Sequence, residues 1–213
     1  MKNWESTYRK KGDIKTWISN IVKDSVGLLK KKGVKKILEV GFGTGTDTLF
    51  LAENGFDVYG IDISETAKKI TEKKAMEKKL KVHLKVADMR AIPFADASFD
   101  AVVSVYTLPH NTLVGLRKTF SELKRVLKPK GMLIATLVST KDTRYGAGKM
   151  VEPNTFLILD DPDESDVSHH FSDEKETREL LAGFKIKKLN ERSGISKRRN
   201  VNSVHWDIIA EKK

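Results

Sequence analysis

The segment Glu39-Val40-Gly41-Phe42-Gly43-Thr44-Gly45 follows the apolar pair Ile37-Leu38 and leads directly into Thr46-Asp47-Thr48-Leu49-Phe50-Leu51-Ala52. A buried strand therefore enters a helix through a turn that carries glycine at every second position. Glycine has no Cβ and tolerates positive φ, and the helix that follows presents unpaired N–H groups at its start. Such a turn brings backbone within contact distance of a nucleotide-like ligand. Seventeen residues after Gly45, a second apolar run, Phe56-Asp57-Val58-Tyr59-Gly60-Ile61, ends in Asp62, where a carboxylate can accept both hydroxyls of a ribose.

Spacing narrows the choice of nucleotide. A dinucleotide fingerprint places Gly or Ala at the sixth position, which here is Thr46, and the Lys-Ser/Thr pair of a phosphate loop is absent. The GxGxG turn preceded by Glu39 resembles motif I of the class I S-adenosyl-L-methionine (SAM)-dependent methyltransferases. Three further segments resemble the same family in the same order: Val86-Ala87-Asp88-Met89, then Ile92-Pro93-Phe94-Ala95-Asp96 running into Phe99-Asp100-Ala101-Val102-Val103-Ser104, then Leu123 to Ile134 around Pro129 and Gly131. The resemblance implies SAM as cofactor and S-adenosyl-L-homocysteine (SAH) as product. It also implies that Glu39, Gly41, Gly43 and Gly45 hold the methionine end, Asp62 the ribose, Asp88 and Met89 the adenine, that Ile63 contacts the cofactor beside Asp62, and that Tyr106 covers the cofactor.

With 213 residues the chain suits one α/β domain spanning 1–213. No apolar stretch reaches the ~18–20 residues that cross a bilayer, and the amino terminus shows no apolar signal core. A soluble, cytoplasmic protein with no membrane partner is expected, as a monomer or homodimer. The chain has no cysteine, which excludes disulfides, thiolate metal sites and a cysteine nucleophile. A net charge of +11 raises nucleic acid as a partner. The lysine pairs at Lys68-Lys69, Lys73-Lys74 and Lys78-Lys79 are interleaved with glutamates as on a solvated helix face, and Arg198-Arg199 forms a further basic pair.

Periodicity predicts helices at 3–10 and 14–31, then strand 36–41, helix 45–54, strand 57–62, helix 64–79, and strands 81–87 and 99–105. Helix 112–128, strand 131–138, helix 172–182 and strands 184–191 and 202–210 complete the chain. Alternating elements predict a three-layer, doubly wound α/β fold with parallel strands and right-handed crossovers. The last two strands are joined too tightly for a crossover helix and must pair antiparallel. The family resemblance implies a Rossmann-like seven-stranded sheet ordered 3-2-1-4-5-7-6.

The ligand then lies beyond the carboxyl ends of strands one and four. Tyr106 and His110, just past strand four, are the candidates to position an acceptor or take its proton. Residues 1–31, with Trp4, Tyr8 and Trp17, and the insertion 139–171 read as lids. From the lids, Tyr8, Arg144, Tyr145, His169 and His170 are candidate acceptor contacts. Adjacent histidines on one loop with no third ligand do not define a metal site, and none is expected. The segments from His169 to Lys212 resemble a subgroup related to tellurite-resistance methyltransferases, which implies a small acceptor. Two alternatives remain at this stage: an RNA or protein methyltransferase, and a SAM-binding protein without turnover.

Overall fold

The computed structural model describes residues 4–14, 16–158, 167–196 and 201–213; the acidic run 160–163 and the pair Arg198-Arg199 lie outside them. Seven strands form the main sheet: β1 (Lys36–Val40), β2 (Asp57–Asp62), β3 (Val82–Val86), β4 (Phe99–Ser104), β5 (Leu127–Ser139), β9 (Phe184–Ile195) and β10 (Asn202–Lys212). Their order is β3-β2-β1-β4-β5-β10-β9. The first five are parallel, while β10 lies antiparallel to both β5 and β9. This is the predicted 3-2-1-4-5-7-6 arrangement with the last pair reversed.

Alternation along the strands builds two cores. Leu38, Val40, Val102, Leu133 and Ala135 point to one face, where α5 (Leu113–Val126) covers them with Leu116, Phe120 and Leu123. Ile37, Ala101, Val103, Met132 and Ile134 point to the other, under Ile21, Val22 and Leu29 of α2 (Asn20–Lys31) and Leu51 of α3 (Thr46–Glu53). Period-two side chains on strands buried from both sides demand helices on both faces. α4 (Glu65–Glu77) starts at Ser64, whose hydroxyl accepts the Ala67 N–H at 3.0 Å.

Three expectations need correction. The predicted helix 14–31 begins only at Asn20, because the N–H and hydroxyl of Ser19 are both committed to Asp47 on α3, at 2.8 and 2.7 Å. The helix predicted to run to 128 ends at Val126, since Leu127 turns extended to pair with Phe99. The insertion 139–171 is not wholly a loop. It contributes β6 (Lys149–Glu152), β7 (Thr155–Leu157) and β8 (Ser168–Ser172), an antiparallel set whose last member joins the end of β5 in parallel. β8 then feeds α6 (Glu174–Leu180), capped by Asp173. At the other end of the chain, α1 (Trp4–Lys11) packs on α4 and lies across the carboxyl ends of the parallel strands. No described helix is long and apolar enough to cross a membrane.

Candidate functional site

At the carboxyl ends of β1, β2 and β4 the fold holds a cavity of ≈ 840 Å³. The glycine turn forms its floor. Gly41 has φ +79°, and a Cβ there would overlap the Thr107 side chain; Gly43 has φ +53°, and a Cβ would stand 2.9 Å from the Tyr8 hydroxyl. Both positions therefore require glycine for backbone conformation and for close approach. Gly45, expected at the ligand, does not line the cavity; it precedes α3 and packs on Thr71.

Asp62 closes β2 almost wholly buried, at 8 % exposure. Its Oδ2 accepts the Gly43 N–H at 2.9 Å and its Oδ1 the Ser64 N–H at 3.0 Å, so one carboxylate ties the glycine turn to the start of α4. Burial pushes the Asp62 carboxyl up, against the pull of those N–H groups. Ile63 beside it is an exposed apolar side chain on the cavity wall. Glu39, buried, accepts the Thr48 hydroxyl from α3 and also faces the cavity. Asp88 and Met89 line the far wall. The Asp88 carboxylate is gripped by Arg90 through Nε (3.0 Å) and Nη2 (2.5 Å), and this hydrogen bonding holds it below the usual carboxylate range despite partial burial.

α1 covers this half of the cavity. Glu5 accepts the Ser64 hydroxyl (2.7 Å) and both the N–H (3.0 Å) and hydroxyl (2.6 Å) of Thr66, at the amino end of α4. Hydrogen bonds from Thr66, with a smaller contribution from Ser64, lower the Glu5 carboxyl to about 2. Tyr8, buried, packs with Phe42 and Ala67, and Trp4 stacks toward Tyr8 and His110 at 5.8 and 5.0 Å between ring centroids.

The other half is built by the loop after β4, the insertion and the β9–β10 hairpin. Tyr106 holds a left-handed φ of +59°, its N–H given to the Thr136 hydroxyl at 2.8 Å. Its phenol oxygen accepts from Arg192 at 3.2 Å, and its ring meets His205 edge-on at 5.0 Å. His110 lies between Trp4 and His169, 5.0 Å from each. It does not cap the next helix, a task that Thr112 performs by accepting the Gly115 N–H. His169 gives its Nδ1 proton to the Val167 carbonyl at 2.9 Å; since a carbonyl only accepts, this nitrogen carries the hydrogen. Arg144 lines the same wall, clasped to Asp142.

Two expected acceptor contacts stand elsewhere. His170 is buried between the Thr155 hydroxyl (2.7 Å) and Glu176 (2.9 Å), bracing β8 against β7 and α6. Neighbouring residues of a strand point to opposite faces, so only one of the two histidines can reach the cavity. Tyr145 packs its ring on Phe156 and Phe171 and donates its hydroxyl to Asn154 at 2.8 Å, outside the cavity wall.

A methyltransferase domain model matches residues 37–131, from β1 to the start of the buried part of β5. Demethylmenaquinone methyltransferase of Thermus thermophilus is 36 % identical over 112 residues, covering 52 % of this chain and 50 % of that protein. The chain thus spans about half the length of this curated relative. A SAM-dependent methyltransferase from Methanosarcina mazei superposes with a TM-score of 0.74 at 28 % identity, over 84 % of this chain and 92 % of that one. TehB from Haemophilus influenzae, at 18 % identity and a TM-score of 0.72 over 99 % of this chain and 67 % of its own, shares the fold. Residues 37–131 thus match a methyltransferase domain, and the fold around them is the one SAM-dependent methyltransferases share.

The methyltransferase domain fits its family's cofactor on two counts. Gly41 and Gly43, both at positive φ, present bare backbone to the cavity. Among the described residues the acids lining the cavity, namely Glu5, Glu39, Asp62, Glu65 and Asp88, lie on the half beside the glycine turn, where a sulfonium cation and ribose hydroxyls call for carboxylates. Arg192, Ser203 and His205 also line the cavity, and sequence reasoning missed them. Their signal was the turn after Gly194: folding the last two strands back on each other sets Arg192 opposite His205 and both level with Val138, at the carboxyl end of the sheet.

Proposed function

We propose that the protein transfers a methyl group from SAM to a small-molecule acceptor. SAM supplies the chemistry, a methyl on a sulfonium whose bonding pair returns to sulfur as the acceptor's nucleophilic atom takes the carbon. The protein's residues must then bind, align and exclude water. Asp62 holds the ribose hydroxyls, Glu39 orients the methionine end, and the backbone of the glycine turn lies against the cofactor. Met89 and Ile63 bracket the adenine with Asp88, whose oxygens are shared with Arg90. Tyr106, fixed at its N–H by Thr136 and at its hydroxyl by Arg192, stands where the acceptor enters, with His110 as the group within reach to take a proton from it.

The observation that carries the small-molecule reading is the convergence of separate segments on one concave site. Trp4 and His110 on one side, His169 and Arg144 on another, and Arg192 and His205 on a third line one cavity with the glycine turn. Part of the positive charge is paired on solvated faces and lies away from the cavity: Lys68 with Glu72 at 3.4 Å, Lys78 with Glu53 at 2.6 Å and Lys32 with Glu211 at 2.8 Å. The name of the Thermus relative, a demethylmenaquinone methyltransferase, is in keeping with a small acceptor. SAH release across a panel of small phenols, thiols and acids, run beside total RNA with and without nuclease, tests the reading. Turnover with a panel member supports it. Nuclease-sensitive labelling of RNA alone would replace it, and SAH binding without turnover on either would reduce the protein to a binding module.

A further inference from the structure

Arg144 and Arg192 reach the cavity from different segments yet are built alike. Arg192 on β9 contacts Asp207 through Nε (2.8 Å) and Nη2 (3.2 Å), and its Nη2 also reaches the Tyr106 hydroxyl. Arg144 contacts Asp142 through Nε (2.8 Å) and Nη2 (3.2 Å). In both, the aspartate takes the Nε–Nη2 edge, and the Nη1 N–H groups have no partner among the described residues. Each aspartate is itself anchored. Asp142, its side chain wholly buried, accepts from the Ser203 hydroxyl (2.7 Å) and the Val204 N–H (2.8 Å), while Asp207 sits on β10, paired with both β5 and β9. The forks are therefore held still before any ligand arrives.

Charge divides the cavity. Among the described lining residues every acid lies toward the cofactor, with Arg90 paired to Asp88 there, whereas the acceptor half is lined by Arg144, Arg192, His110, His169, His205 and Ser203 and by no carboxylate. Of these groups the two guanidiniums are the fixed donors, and a guanidinium edge matches the two oxygens of a planar carboxylate. A neutral acceptor would leave those N–H groups buried against it without acceptors, at a cost.

We propose that the methyl acceptor is a small carboxylate-bearing molecule, its anionic group seated on the outward Nη1 edges of Arg144 and Arg192 and its nucleophilic atom turned toward Tyr106. This rests on the methyltransferase reading of the cavity and narrows its acceptor to one chemical class. Because each arginine is already neutralised by its aspartate, selectivity comes from oriented donors more than from net charge, so exchange of Arg for Lys does not preserve it.

Benzoate and its neutral counterpart benzamide, titrated calorimetrically into the protein with and without saturating SAH, test the assignment. Benzoate is expected to bind at least tenfold more tightly than benzamide. Arg192→Gln and Arg192→Lys should each erase most of that preference, Arg144→Gln should reduce it, and SAH affinity should stay within about twofold. Equal binding of the two probes, no binding of benzoate, or a preference that survives both Arg→Gln changes overturns the proposal. The wild-type comparison decides even if a variant fails to fold. Loss of SAH binding by the wild-type protein would instead strike the cofactor reading, and the titrations without SAH keep the two failures apart.

Discussion

Two carboxylates carry most of the site's residue-scale logic, with opposite electrostatics. Asp62 is buried and pushed up, yet in the role proposed for it the carboxyl must be ionised to accept two ribose hydroxyls. A raised folded value means that its protonated form is the one folding favours; its stability contribution is present at low pH and lost as pH rises through that value. SAH affinity runs the other way and should begin to fall, on acidification, above the ordinary aspartate range. Removing the charge-assisted bonds by Asp62→Ala should weaken SAH by about 1.5–3 kcal/mol, roughly ten- to a hundredfold in calorimetry. Asp142 is also buried, which alone would raise it, but the Arg144 guanidinium outweighs burial and holds it at about 2. Its contribution is present above the ordinary value of 3.8 and lost as pH falls through about 2. Asp142→Ala strands Arg144 in a buried setting and should cost about 3–5 kcal/mol in denaturant unfolding.

At the scale of elements, what the sequence made legible was whatever is local. The strand, glycine turn and helix at 37–52 are consecutive, and Asp62 and Asp88 end apolar runs, so the cofactor half could be read off in order. The acceptor half could not. Whether His169 or His170 faces the cavity depends on β8 being a strand, and its partner β7 has only three residues, opened by Asn154 at φ +62°. Arg192 acts through Tyr106, 86 positions earlier, a contact created only when β9 comes to rest beside β10. The start of α2 was misplaced for the same reason, as Ser19 answers to Asp47 across 28 residues. The amino-terminal cover gives a prediction of its own. Glu5 fastens α1 to α4 with its carboxyl at about 2, so the clasp is whole above pH 4.5 and released as pH falls through about 2. Glu5→Gln should loosen α1 at neutral pH, shifting the emission of Trp4 toward that of a solvent-exposed indole and speeding SAH release in stopped flow, while unfolding of the sheet is little changed.

For the molecule as a whole, the division of labour follows the switch in strand order. Strands β1, β2 and β4, in register through Val40 with Ile61 and Glu39 with Val103, converge their carboxyl ends on one cavity. The reversed strand pair and the insertion wall off the space beside it, which is where families on this fold are free to differ. The acids beside the glycine turn, with Arg144 and Arg192 across from them, suit a cationic cofactor meeting an electron-rich acceptor. The central claim is that this cavity binds SAM, and titration of SAH into the wild-type protein tests it most directly. One equivalent should bind with micromolar or tighter affinity, and Gly43→Arg, which fills the cradle beneath Tyr8, should abolish it; no heat of binding from either SAH or SAM with the folded wild-type protein would contradict the assignment.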